Sequence, residues 1–284
     1  MRLTNHPMAQ AFLDTASESL MRHEAENNLM LGIANRVRDG GSYGDEPPLF
    51  LTVEDGGEVV AAAIRTPPYN LILQCDRDRL SALDTLVDHL IEIGHDLPGV
   101  HGSVDIAAAF SDRWTRRCER TASMLMSQRI YSITHVTPPS DVPGRMRWAQ
   151  EGDVPTLTEW FLAFHHEAVP GDPPADPAKN VHRFMTSGKL AVWDDGGPVS
   201  MAGSARGTTN GGTVSAVYTP LDQRGHGYAS ACVAALSQSL LDDGARFCTL
   251  YTDLANPTSN KIYQNVGYRP VEDCSMITFE DTTA

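Results

Sequence analysis

The chain is poor in the features that would tie it to a metal, a membrane or a nucleic acid. Its 284 residues include five cysteines, Cys75, Cys118, Cys232, Cys248 and Cys274, and no two form a C-x-x-C pair. Zinc and redox motifs are therefore absent, no metal is expected, and the wide spacing predicts buried free thiols. No apolar run approaches the ~20 residues that span a bilayer, so no membrane partner is expected. Met1 to Leu20 lacks the basic-then-apolar order of a signal peptide, which predicts a cytoplasmic location. Positive charge is scarce too: 22 Lys and Arg against 36 Asp and Glu leave a net charge of -14. That balance opposes the phosphate contacts on which nucleic-acid binding depends, and weakly favours a cationic substrate such as an amine.

What is present is one plan written twice. Leu49 to Val53 and Glu58 to Thr66 predict two strands around the turn Glu54-Asp55-Gly56-Gly57. Leu190 to Trp193 and Val199 to Ala205 predict a second pair around Asp194-Asp195-Gly196-Gly197. Asp-Gly between apolar runs signals a hairpin, because glycine accepts the positive φ of a tight turn. Each hairpin is followed by a strand, Asn70 to Gln74 or Thr213 to Thr219, and then a helix. The helices, Arg79 to Ile93 and Tyr228 to Leu241, carry apolar faces at helical spacing: Leu83, Leu86, Val87, Leu90 and Ile91 in one, Ala229, Cys232, Val233, Leu236 and Leu240 in the other. Further strands are predicted at Gly102 to Ile106 and Phe247 to Tyr251. The proline-rich stretch Thr137 to Gly144 predicts a border between domains 1–138 and 145–284. A second, Val169 to Pro177, predicts a loop between helices.

The most informative segment runs from Val217 to Ser230. It follows a predicted strand and opens a predicted helix. Gly225 and Gly227 allow a sharp turn that exposes successive N–H groups, and these with the helix N-terminus suit a phosphate-like anion. No Gly-Lys-Ser/Thr follows, so this is not a Walker loop. Ser230 stands where a dinucleotide fingerprint needs its third glycine. Downstream, Asn256 suits a helix cap, Pro257 a first turn and Gly267 a helix stop.

Arg224-x-x-Gly227-x-Ala229 after Val217, and Asn256-x-x-x-Asn260-x-x-Tyr263-x-x-x-Gly267-Tyr268, together resemble the landmarks of the GNAT superfamily of N-acyltransferases. The resemblance implies an α/β fold of two GNAT-like domains in tandem, each a mixed, largely antiparallel sheet flanked by helices. It implies acetyl-CoA as acyl donor and transfer of the acetyl group to a primary amine, with no metal. Val217 and Tyr218 would pair with the pantetheine arm. Arg224, Gly225, His226, Gly227, Tyr228, Ala229 and Ser230 would hold the pyrophosphate, and Asn256 and Asn260 the coenzyme arm. Tyr263 would protonate the departing thiolate. A general base is missing from Thr213 to Thr219, which leaves Glu167, His165 and His166 as candidates. Cys75-Asp76-Arg77-Asp78-Arg79, the equivalent loop of the first repeat, has no glycine, so one coenzyme per chain is expected. A monomer or homodimer fits this organisation. Alternatives are a non-catalytic acyl-CoA-binding regulator and a mycothiol-synthase-like acetyltransferase.

Overall fold

The computed structural model describes residues 1–168, 176–186, 189–204 and 207–282. Most of the loop expected at Val169 to Pro177, together with Ala205, lies outside the described residues. The chain forms two compact units: Met1–Arg129 with Glu272–Ala284, and Ile130–Val271.

The first unit runs β1 (Arg2–Asn5), α1 (Ala9–Met21), α2 (Asn28–Arg38), β2 (Leu49–Asp55), β3 (Glu58–Arg65), β4 (Leu71–Cys75), α3 (Ala82–Glu92), β5 (Gly99–Ser103), α4 (Val104–Cys118) and the start of β6 (Arg120–Ile133). The second continues with β7 (Arg145–Trp148), α5 (Val154–Ala168), α6 (Pro177–Thr186), β8 (Leu190–Asp194), β9 (Pro198–Gly203), β10 (Gly211–Thr213), β11 (Ser215–Tyr218), α7 (Tyr228–Asp242), β12 (Phe247–Asp253), α8 (Pro257–Val266) and the start of β13 (Arg269–Asp281). The same succession of strands and helices thus occurs twice, with one strand of the second copy split into β10 and β11.

Strand alternation sorts side chains to the two faces of each sheet. In the first unit, Leu51, Val53, Ala61 and Ala63 pack under α3 and α4, while Phe50, Ala62 and Ile64 pack under α1 and α2. In the second, Ala191, Ala202 and Val214 face α7 and α8, while Leu190, Val192 and Met201 face α5 and α6. The hairpin pairs are antiparallel, and β4 pairs with β5, and β10 with β12, in parallel.

Three sequence expectations shift. The stretch Thr137 to Gly144 lies inside the second unit, because β6 runs on without a turn residue past Arg129. The C-terminal half of β13 returns to the first unit and pairs with β5, Cys274 opposite Ser103. Val104 to Ile106, expected to end a strand, instead begin α4, and Asp105 sits in that helix's first turn, where a negative charge is favourable. Cys75, Cys232, Cys248 and Cys274 are buried free thiols, and Cys118 is half-buried. Among the described residues no helix is long and apolar enough to cross a membrane.

Candidate functional site

β10 and β11 come from one continuous apolar stretch that breaks at Val214. Before the break it pairs with β12, Thr213 opposite Thr249, and the Val214 N–H donates to the Thr249 carbonyl at 2.8 Å. After it, Ser215 stands opposite Gly203 and Tyr218 opposite Met201 on β9. Ala216 and Val217 therefore face the single residue Ala202: a bulge, with Ala216 in the left-handed region at φ 51°. The Tyr218 carbonyl accepts from Ser200 Oγ at 3.1 Å, so it is engaged by β9. β11 is the edge strand of its four-stranded sheet, order β11-β9-β8-β7, so among the described strands none pairs with its far side. The strand thus presents an open edge at the level of Val217 and Tyr218.

From Tyr218 the chain passes through Thr219, Pro220 and a single turn, Leu221–Gln223, into the glycine loop. Gly225 and Gly227 sit at φ 84° and φ 83°, values that side-chain-bearing residues rarely adopt. A Cβ on Gly227 would lie 2.9 Å from Val142 Cγ2, whereas one on Gly225 would meet nothing within 4 Å. Gly227 is also the N-cap of α7, and no side chain caps that helix. Among the described residues, none accepts a hydrogen bond from the N–H groups of Gly225, His226, Gly227, Tyr228, Ala229 or Ser230. These six donors, aligned with the positive end of a 15-residue helix, make a cradle for an anion.

Side chains hold the cradle in place. Tyr228 donates to Asp195 Oδ2 at 2.6 Å, tying the start of α7 to the β8–β9 turn, and this bond raises the tyrosine's pKa. His226 stacks on Tyr228 with ring centroids 5.5 Å apart. Arg224 donates from Nε to the Thr219 carbonyl at 2.9 Å, and its guanidinium lies 5.8 Å from the Tyr218 ring centroid. Its far end donates to Glu167 Oε2 at 2.7 Å. Glu167, the candidate base, is thus joined to the loop's arginine. His165 and His166 share the last turn of α5 with it.

The second landmark folds as α8. Asn256 caps it by accepting from Ser259 N at 3.0 Å, and Asn260 Nδ2 donates to the carbonyls of Asp253 at 2.8 Å and Asn256 at 2.7 Å. Both asparagine side chains serve first to fix the β12–α8 connection. Tyr263 is 7% exposed and packs between Tyr131 and Tyr268, with ring centroids 6.5 and 6.1 Å away. Desolvation pushes its hydroxyl up to about 12. Two residues escaped the sequence reading. Tyr131 on β6 donates to Asn260 Oδ1 and accepts from Gln264 Nε2, bracketing Tyr263 from one side. Asp195 reads in the sequence only as a turn residue. Neither carries a local sequence signal, because each role depends on a partner far along the chain.

The equivalent loop of the first unit is closed by its own backbone. Arg79 N donates to the Asp76 carbonyl, and Ala82, Leu83 and Asp84 donate to the carbonyls of Arg79, Leu80 and Ser81. The N–H groups that are free in α7 are therefore taken at the start of α3, and Asp84 adds a negative charge to the first turn. Among the described residues no group of three or more His, Cys, Asp or Glu is arranged to hold a metal.

Comparison with known proteins bears on the fold. Residues 195–277 match the family described as "FR47-like protein". None of the curated proteins compared with the chain matches it. A tandem GNAT protein from the clavulanic acid biosynthesis pathway is similar at 13% identity and a TM-score of 0.60, over 100% of both chains. A GCN5-related N-acetyltransferase from Sphaerobacter thermophilus is 15% identical, with a TM-score of 0.60 over 97% of this chain and 94% of that one. A GNAT-family acetyltransferase from Colwellia psychrerythraea is 12% identical, with a TM-score of 0.58 over 99% of each. The chain has the GNAT acetyltransferase fold in tandem form, with an FR47-like stretch across residues 195–277.

Proposed function

We propose that the second unit transfers an acetyl group from acetyl-CoA to a primary amine of a small molecule. The observation that carries this reading is the cradle of unpaired N–H groups from Gly225 to Ser230, set directly after the unpaired strand edge at Val217. Together they offer donors for a pyrophosphate and a strand-like partner for an extended amide-bearing arm. Acetyl-CoA has both parts in that order.

In the proposed reaction the amine nitrogen bonds to the thioester carbon and the C–S bond breaks. A backbone N–H of the bulged strand polarises the carbonyl oxygen. Tyr263 supplies its hydroxyl to the departing sulfur. With a pKa near 12 it keeps its proton at neutral pH, and full transfer to a thiolate with a reference pKa of about 8.5 is uphill. Its role is therefore a strong hydrogen bond to the developing thiolate, which solvent then protonates. β10 and β11 present no carboxylate, so the amine enters neutral and gives its proton to water. Asn256 and Asn260 keep α8, and hence Tyr263, in register.

The test is acetyl-CoA binding followed by CoA release with a panel of primary amines, for wild type and Tyr263→Phe. Loss of a hydrogen bond to a charged acceptor, about 1.5–3 kcal/mol, predicts a fall in kcat of about 10- to 150-fold with unchanged coenzyme affinity. The absence of a strand carboxylate gives one specific rival its support, a non-catalytic acyl-CoA-binding protein. Tight binding without turnover on any amine would select that rival, and no binding would end both readings.

A further inference from the structure

We propose that Glu167 is an internal competitor of the coenzyme: its carboxylate occupies the outer end of Arg224 until a pyrophosphate displaces it. The pair thereby lowers affinity for phosphate-bearing donors and leaves donors without phosphate unaffected. The inference rests on the coenzyme reading above and goes beyond it in naming what fills the loop's cation beforehand.

Three observations converge. First, Glu167 lies in the last turn of α5, the negative end of that helix, where a carboxylate is unfavourable. Helix stability therefore gives no reason for its position, whereas the contact with Arg224 does. Second, the arginine is held in two parts. Nε is fixed to the Thr219 carbonyl at 2.9 Å and the guanidinium lies near the Tyr218 ring, so the Nη2 end, at 2.7 Å from Glu167, can exchange partners while Nε stays anchored. Exchange needs no rebuilding of the loop. Third, the pair is half-exposed, at 44% for Arg224 and 47% for Glu167, beside six unpaired N–H groups. An ion pair this exposed is weak. A diphosphate brings more charge and satisfies the neighbouring donors as well, so it outcompetes a single carboxylate.

A pantetheine thioester without phosphate reaches the strand edge at Val217 but gives Arg224 no new partner. For such a donor the Arg224–Glu167 pair stays closed and contributes nothing to binding.

The experiment measures binding of CoA and of pantetheine by calorimetry to wild type, Glu167→Gln, Arg224→Gln and the double variant. Glu167→Gln should lower the Kd for CoA by about 2- to 5-fold, the range of an exposed ion pair, and leave the Kd for pantetheine unchanged. Arg224→Gln should raise the Kd for CoA. In that background Glu167→Gln should have no further effect, because the carboxylate acts through the arginine. Unchanged or weakened CoA binding in Glu167→Gln overturns the proposal and makes Glu167 a support for Arg224. Equal tightening for CoA and pantetheine overturns it as well, by showing a general charge effect. Absence of CoA binding in all four proteins would instead reject the coenzyme reading itself.

Discussion

Gly225→Ala isolates the backbone geometry on which the anion cradle depends. At φ 84° an L-residue is strained, yet a Cβ there would meet nothing within 4 Å. The whole effect is therefore conformational, about 1–2 kcal/mol for a left-handed residue. The loop is exposed, so it relieves the strain by leaving this conformation. Coenzyme binding must then restore it, and the penalty appears in affinity. At 1.4 kcal/mol per tenfold, the Kd for CoA should rise by about 5- to 30-fold. Thermal unfolding should change little. Gly57→Ala is the matched control: its φ is 92°, it too has open space around its Cβ position, and it lies in the β2–β3 turn of the first unit. That variant should bind CoA as wild type does. Gly227→Ala should be worse than Gly225→Ala, since its Cβ also presses on Val142 Cγ2 at 2.9 Å. If Gly225→Ala bound CoA as tightly as wild type, the left-handed loop would not be what presents the donors, and the cradle argument would fail.

Asn256→Ala removes the side-chain cap of α8, worth about 1 kcal/mol, and should lower the melting temperature by about 2–4 °C in a chain of this size. The buried thiols of Cys75, Cys232, Cys248 and Cys274 are each pushed up to about 12 by desolvation. In native protein at pH 8, a thiol reagent should therefore modify Cys118 first and the other four only on unfolding. The same shift makes stability fall at alkaline pH. Unfolded thiols ionise from about pH 8.5 while folded ones keep their protons, so the unfolded state binds fewer protons and gains with each rise in pH. Denaturant midpoints should be flat below pH 8 and drop between pH 9 and 11.

Much of the fold was legible because its signals are local. The turns at Asp55-Gly56 and Asp195-Gly196 and the helical faces of α3 and α7 each follow from a few neighbouring residues. Ile91 is the exception on α3: the periodicity puts it on the apolar face, yet it is 41% exposed. The exchange of strand ends between units was not legible, since β6 and β13 are uninterrupted sequences and pairing partners leave no mark on them. At the site, the glycines and Asn256 announced their backbone roles. The break at Val214 did not: Thr213 to Thr219 reads as one strand, and only pairing to β12 on one side and β9 on the other divides it. The Arg224–Glu167 and Tyr131–Asn260 contacts were equally hidden, spanning 57 and 129 residues of sequence.

The central claim is that one of the two repeated units, and only one, holds a coenzyme. A calorimetric titration of the full chain with CoA tests it most directly. The account predicts a single site per chain whose affinity falls when Gly225 is replaced by alanine and is unaffected by Gly57→Ala. A stoichiometry of two, or binding that persists unchanged in Gly225→Ala, would contradict it.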